Sequence, residues 1–171
     1  AQIDIIKRHK VNVLVAVPSF LLKIISFAQG TGIDLNSLGV EKIICIGEAV
    51  RNDDLSPNML ATKITDHWNV KLYGTFASTE MQTAFTEDIH GDGYFLQPEL
   101  LYAEILDDNN NEVAEGETGE LTITHFDLEG TPLIRYRTGD ICRKLSSQSK
   151  SGRNTLKIGP VIGRKNQLIK L

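Results

Sequence analysis

The apolar positions of this chain follow two patterns, one in each part. Residues 11–17 read Val-Asn-Val-Leu-Val-Ala-Val, an almost unbroken apolar run that predicts a parallel strand buried on both faces. Pro18-Ser19 ends it. Leu21, Leu22, Ile24, Ile25 and Phe27 then recur at helical spacing, with Ser19 as the expected N-cap and Gly30 as the expected stop. A second run over 42–46 ends at Gly47-Glu48, residues 52–68 predict a helix that admits Pro57 only in its first turn, and a third strand over 70–73 ends at Gly74. Three strands separated by helices predict an α/β unit with a parallel sheet and right-handed crossovers. Ligands in such sheets bind beyond the carboxyl ends of the strands, here at Pro18-Ser19, Gly47-Glu48 and 74–80.

From about Gln97 the pattern shortens. Strands are expected over 100–106, 119–124, 133–138, 141–145 and 155–158, separated by turn-rich pieces such as Asp107-Asp108-Asn109-Asn110-Asn111. This predicts a small antiparallel, β-barrel-like subdomain. The expected organisation is therefore an α/β subdomain over 1–97 and a β-barrel-like subdomain over 98–171, with 146–154 as a polar loop.

Composition changes this picture little, because 171 residues with 41% hydrophobic and 23% charged positions are ordinary for a globular chain. No apolar run is long enough to cross a bilayer and the start lacks the pattern of a secretory signal, so a cytoplasmic location is the default expectation. Cys45 and Cys142 form no CxxC pair and lie near no histidine cluster, which favours buried thiols over a disulfide or a metal site. Charge is more informative. Residues 131–171 hold ten basic side chains against the single acid Asp140, so this end carries +9 while the rest carries −13. A basic end suits phosphates, nucleic acid or an acidic surface. Nucleic acid is the least suited, since its basic residues are not interleaved with aromatics beyond Tyr136.

Two short stretches concentrate chemistry. Leu133-Ile134-Arg135-Tyr136-Arg137-Thr138-Gly139-Asp140, read as a strand, alternates Ile134, Tyr136 and Thr138 against Arg135 and Arg137 and is expected to stop at a Thr-Gly-Asp turn. There Asp140 could take both hydroxyls of a ribose, or simply close a surface ion pair. Phe76-Ala77-Ser78-Thr79-Glu80 offers an aromatic face for a base, a hydroxyl for a phosphate and a carboxylate for a hard cation. A helix start capped by Ser78 explains the same residues. His9, His67, His90 and His125 are scattered, and no Ser-His-Asp or Cys-His arrangement stands out.

Taken with Gly163-Arg164-Lys165-Asn166-Gln167-Leu168-Ile169-Lys170, these motifs resemble, in order, those of the adenylate-forming acyl-CoA synthetases. Val15-Ala16-Val17-Pro18-Ser19, Ile46-Gly47-Glu48, Pro98-Glu99, Gly116-Glu117-Thr118-Gly119-Glu120-Leu121 and Pro132 through Asp140 make the chain most similar to the phenylacetate-CoA ligase group. The resemblance implies that Phe76, where that family usually has tyrosine, stacks on adenine within a nucleotide site that includes Ala77 and Ser78. It implies Thr79 on the AMP phosphate and Glu80 on magnesium. Gly47 and Glu48 would border the adenine and acyl pocket, Asp140 would bind ribose, and Arg164 would approach ribose and phosphate. Asn166 stands where the family's interdomain hinge often has Asp or Lys.

The implied activity joins a carboxylic acid, aromatic by the same resemblance, to coenzyme A. ATP is consumed through an acyl-adenylate and AMP is released; ATP/AMP, Mg and coenzyme A are the implied cofactors and co-substrates. Thr79, Glu80 and Arg164 are the implied catalytic residues. The expected partner is a small molecule, with no nucleic acid and no membrane, and a homodimer is left open. In the family a phosphate loop precedes the segment matched here and a C-terminal lysine-bearing domain follows it, so this chain alone is expected to be an inactive middle piece. A non-catalytic nucleotide-binding module, or an adenylation domain serving another acceptor, remains the alternative.

Overall fold

A computed structural model describes residues 2–166. They form two compact units, Ala1–Asn52 with Ser56–Thr75 and Asp53–Leu55 with Phe76–Leu171. The chain thus enters the second unit at Phe76, earlier than the 97/98 division read from the strand pattern. The reason is packing: Met81, Phe85, Tyr94 and Leu96 bury their side chains in the same core as Leu101, Ile105, Leu121 and Ile158.

The first unit holds β1 (Val13–Ala16), β2 (Lys42–Cys45) and β3 (Lys71–Ala77, whose last two residues already belong to the second unit) as a parallel sheet in that order. Its helices are α1 (Gln2–His9), α2 (Pro18–Thr31) and α3 (Met59–Thr65). Register places Leu14, Ile43 and Leu72 side by side, then Ala16, Cys45 and Gly74. This row faces the core of Leu21, Ile24, Ile25, Ala28, Ile64 and Trp68. The opposite face is different. Val13 and Val15 are 40% and 62% exposed, which corrects the expectation of a strand buried on both faces: the run is apolar on both sides, but β1 is an edge strand with one covered face.

Helix ends also differ from the pattern. The residue before a proline is pushed out of the α region, so Val17 is extended and Pro18 opens α2, with no side-chain cap from Ser19. The left-handed stop falls at Gly32, φ 66°, two residues after Gly30. The helix expected over 52–68 shortens to α3, whose N-cap Asn58 accepts from the Ala61 amide at 3.0 Å. The α1 helix had no counterpart in the strand and helix reading; Ile3 and Ile6, three apart, are its buried pair.

The second unit carries β4 (Ala84–Thr86), β5 (Tyr94–Phe95), β6 (Leu101–Leu106), β7 (Thr118–His125), β8 (Tyr136–Lys144) and β9 (Lys157–Arg164). All its pairings are antiparallel, in the order β4-β5-β9-β8-β7-β6. Gly119 is required where β7 crosses β6, because a Cβ there would stand 2.8 Å from the Leu106 carbonyl oxygen. Among the described residues, no helix is long and apolar enough to cross a membrane.

The strands expected over 133–138 and 141–145 are one strand, β8. Glu120 pairs with Ile141 and Thr122 with Arg137, so the step of two residues on β7 faces a step of four on β8. Thr138-Gly139-Asp140 is therefore a bulge within a strand, where a stop was expected. Gly139 at φ 80° permits it, and Thr138 Oγ1 donates to the Leu121 carbonyl at 2.9 Å. Bulges re-aim side chains locally, and this one presents Asp140 toward β9.

Trp68 is fully buried and its indole N–H has no hydrogen-bond partner among the described residues. Trp68→Ala is expected to cost about 3–5 kcal/mol, and Trp68→Phe distinctly less because no hydrogen bond is lost; urea midpoints of the two variants check this. Both thiols are buried, and burial, with the Asp140 charge adding to it, pushes Cys142 up to about 12. Neither cysteine should react with a disulfide reagent at pH 8 until the chain is unfolded, as counted by thiol titration with and without denaturant.

Candidate functional site

Phe76 and Ala77 end β3, and Ser78-Thr79-Glu80-Met81 forms the turn that follows. The Met81 amide closes the turn on the Ser78 carbonyl at 3.2 Å and approaches Ser78 Oγ at 3.4 Å. The alternative of a helix start here is thereby set aside. The half-buried Phe76 ring tilts at 40° against Phe85, with centroids 6.5 Å apart, and packs against the core. Thr79 and Glu80 are exposed. Glu80 is held below the usual carboxylate value by its own backbone amide first, then by the Ser78 hydroxyl, with the Arg164 charge adding. It is an exposed carboxylate kept ionised.

His125, at the end of β7, fixes this turn from the side. Its Nε2 donates to the Glu80 carbonyl at 2.6 Å, and its Nδ1 lies 3.4 Å from the Leu133 amide, which donates to it. A carbonyl can only accept, so the bond to Glu80 sets the tautomer. Sequence reasoning treated His125 as one of four scattered histidines. The only signal was its place at a strand end opposite the 133–140 stretch.

Asp140 and Arg164 are register partners on β8 and β9, and Arg164 Nε lies 3.3 Å from Asp140 Oδ1. Asp140 is 4% exposed, whereas the Arg164 side chain is 56% exposed. Arg164 thus pairs with Asp140, and its charge is the smallest of the influences on Glu80. Asn166 is exposed in the turn after β9. The remainder of that motif, through Ile169-Lys170, lies outside the described residues.

Gly47 and Glu48 belong to the first unit. Glu48 Oε2 accepts from the Ser19 amide in the first turn of α2 at 2.7 Å, a carboxylate placed on a helix N-terminus. Gly47 at φ 76° lets the chain turn directly after β2.

The basic end is partly neutralised within its own unit. Arg135 pairs with Glu104 at 3.1 Å, Arg137 with Glu120 at 2.8 Å, Lys144 with Glu112 at 2.7 Å and Lys157 with Asp92 at 3.1 Å. Lys165 reaches Asp108 at 2.8 Å and Glu120 at 3.1 Å. About half of the +9 of the sequence is therefore spent inside the fold, and earlier strands and loops supply the acids. Among the described residues no group of three or more His, Cys, Asp or Glu side chains could hold a metal.

No family model matches the chain. It is 30% identical over 159 residues to a phenylacetate-coenzyme A ligase of Aromatoleum evansii, covering 92% of this chain and 35% of that protein. It is 26% identical over 173 residues to the Pseudomonas putida enzyme of the same name, covering 98% and 37%. The chain is thus similar, over nearly its whole length, to phenylacetate-coenzyme A ligases. It spans little more than a third of the length of these relatives. The fold agrees: a 2-hydroxyisobutyryl-CoA ligase crystallised in an open conformation with 2-HIB-AMP and CoA superposes over 99% of this chain and 40% of its own, at a TM-score of 0.83 and 20% identity. The same ligase in its thioesterification state gives 0.79, and the protein VinN gives 0.66 at 15% identity.

Glu120, the acid shared by Arg137 and Lys165, yields a pH prediction. Burial pushes its carboxyl up, but the hydrogen bonds and charges of Arg137 and Lys165 outweigh burial, leaving it below its usual value. Its contribution to stability should be complete above an unfolded-state pKa of about 4.3 and be lost as pH falls through the lower folded value. In urea melts, the gap between wild type and Glu120→Gln should be constant above about pH 5.5 and shrink below it.

Proposed function

We propose that this chain is the nucleotide-handling part of an AMP-forming ligase that joins a carboxylic acid to coenzyme A, with an aromatic acid of the phenylacetate type as substrate. The observation that carries this reading is the pairing of the exposed Arg164 with the buried Asp140, register partners on β9 and β8. The names of the relatives support the acid and the thiol acceptor.

In this reading the acid's carboxylate attacks the α-phosphorus of ATP, pyrophosphate leaves, and the thiol of coenzyme A then displaces AMP from the acyl-adenylate. No side-chain nucleophile is needed, and the protein's work is placement and charge. Arg164 takes the α-phosphate, and Asp140 takes the ribose hydroxyls. The two roles are linked: when the phosphate draws Arg164 away, an acceptor oxygen of the buried Asp140 loses its partner and needs another donor, which a ribose supplies. Phe76 offers a ring face to the adenine, lined by Ala77 and Ser78, while Thr79 Oγ1 donates to the phosphate. Asn166 serves as the pivot residue.

Magnesium fits the residues present. It keeps most of its waters and takes one or two carboxylates together with substrate phosphates, and Glu80 is an exposed carboxylate held ionised. When bound, the ion would neutralise charge on the phosphates.

Expression of the full open reading frame containing this chain, assayed with a panel of carboxylic acids for ATP-, magnesium- and coenzyme A-dependent thioester formation, tests the proposal. Thioester with an aryl acid supports it. Acid-dependent pyrophosphate exchange without thioester points to an adenylation domain with another acceptor, and neither signal leaves a non-catalytic nucleotide-binding module. In an active enzyme, Glu80→Gln and Arg164→Ala should each lower kcat/KM for ATP by about 10²–10³, while Phe76→Ala should act mainly on KM.

A further inference from the structure

The mechanism above leaves Glu120 unused, yet its buried carboxylate receives three donors. It lies on β7 with its side chain 7% exposed. Oε1 accepts from the Gly139 amide at 3.1 Å, and Oε2 accepts from Arg137 Nε at 2.8 Å and from Lys165 Nζ at 3.1 Å. Arg137 in turn donates to the Asp107 carbonyl at 2.8 Å and to Asn110 Oδ1. The Lys165 amide donates to the Gly139 carbonyl at 2.7 Å. Both polar groups of Gly139 are thereby taken, one by Glu120 and one by the residue after Arg164.

This is the place where β8 carries two residues more than β7 needs. A bulge leaves amides without ladder partners, and an unpaired buried amide is costly. Glu120 supplies the missing acceptor at the central residue of the bulge, while Lys165, the neighbour of Arg164, is held by the same carboxylate. Asp140 follows Gly139 directly, so its Cα position and direction depend on how that amide is held.

We infer that Glu120 is a positioning residue for nucleotide recognition: by holding the Gly139 amide and Lys165 on one carboxylate, it sets Asp140 and Arg164 in the register that recognises a ribose 5′-phosphate. The inference rests on the reading of Asp140 as the ribose ligand. It differs from a general stabilising role in what it predicts, because a merely structural carboxylate would lower stability without altering which nucleotide is preferred.

The test compares AMP with 2′,3′-dideoxy-AMP by calorimetry, on the full-length protein, below the unfolding temperature of every variant. Wild type is expected to prefer AMP by about tenfold or more, the scale of hydrogen bonds to a charged acceptor. Glu120→Gln keeps the size of the side chain and loses its charge, and should reduce the preference to about threefold or less. Where Glu120→Gln does not fold, Glu120→Asp, charged but one methylene too short to hold Gly139, should show the same loss. Glu112→Gln, which breaks the Lys144 pair elsewhere on the sheet, should leave the preference intact. Full preference retained in the Glu120 variants overturns the inference, as does equal loss in Glu112→Gln. A wild type that binds both nucleotides alike overturns the ribose reading first, and the inference with it.

Discussion

A carboxylate taken out of water costs several kcal/mol unless donors replace its hydration, and in the second unit that constraint converges on Glu120. Its two oxygens receive an arginine, a lysine and a backbone amide. The arrangement cannot be altered piecemeal. Shortening the bulge by a residue would remove the Gly139 amide, moving Arg137 would strip the charge partner, and releasing Lys165 would free the chain that follows Arg164. Sheet register, bulge and the exit from β9 are therefore fixed by one buried group. Replacing the whole set with apolar residues could hold the sheet together as well, but it would not define where Asp140 stands.

The same logic explains the charge asymmetry of the sequence. The basic residues after 131 lie on β8, β9 and their flanks, and the acids they meet come from earlier strands and loops: Asp92, Glu104, Asp108, Glu112 and Glu120. These pairs are unequal. Arg135 and Glu104, with the arginine half exposed, contribute little, as surface pairs usually do. Lys157, almost wholly buried against Asp92 and 5.6 Å from the Phe95 ring centroid, has no solvent to fall back on. Arg164 faces outward, with its side chain 56% exposed and its partner Asp140 buried behind it.

Much of the fold was legible because apolar periodicity reports on cores. The β1, β2, α2 and β3 sequence follows from spacing alone, as do β6 and β7, whereas β8 reads as two strands and β9 as a shorter one over 155–158. Where the reading failed, a local rule had been overridden. The run over 11–17 is apolar on both sides, and composition does not reveal that only the row of Leu14 and Ala16 is covered. Pro18 opens α2 ahead of the better capping residue Ser19, since proline at the first helical position needs no amide partner. Thr-Gly-Asp reads as a stop because its glycine signals a turn; only the partner strand shows that the ladder resumes at Ile141. The candidate site residues stand out as motifs, but of the two that hold them His125 lies in no motif, and Glu120 lies within the Gly116 to Leu121 motif with nothing in the spacing to mark its role. Their importance is set by long-range pairing, 19 residues from Gly139 in one case and 45 from Glu80 in the other.

His125 and Glu120 solve one problem in two ways. Asp140 and Arg164 sit on paired strands, where the ladder itself limits movement, and Glu120 needs only to settle the bulge. Glu80 sits in an exposed turn with no ladder. There both ring nitrogens of His125 are used, one on the Glu80 carbonyl and one on the Leu133 amide. Because the histidine grips the backbone of Glu80, the carboxylate stays free toward solvent while its origin is fixed.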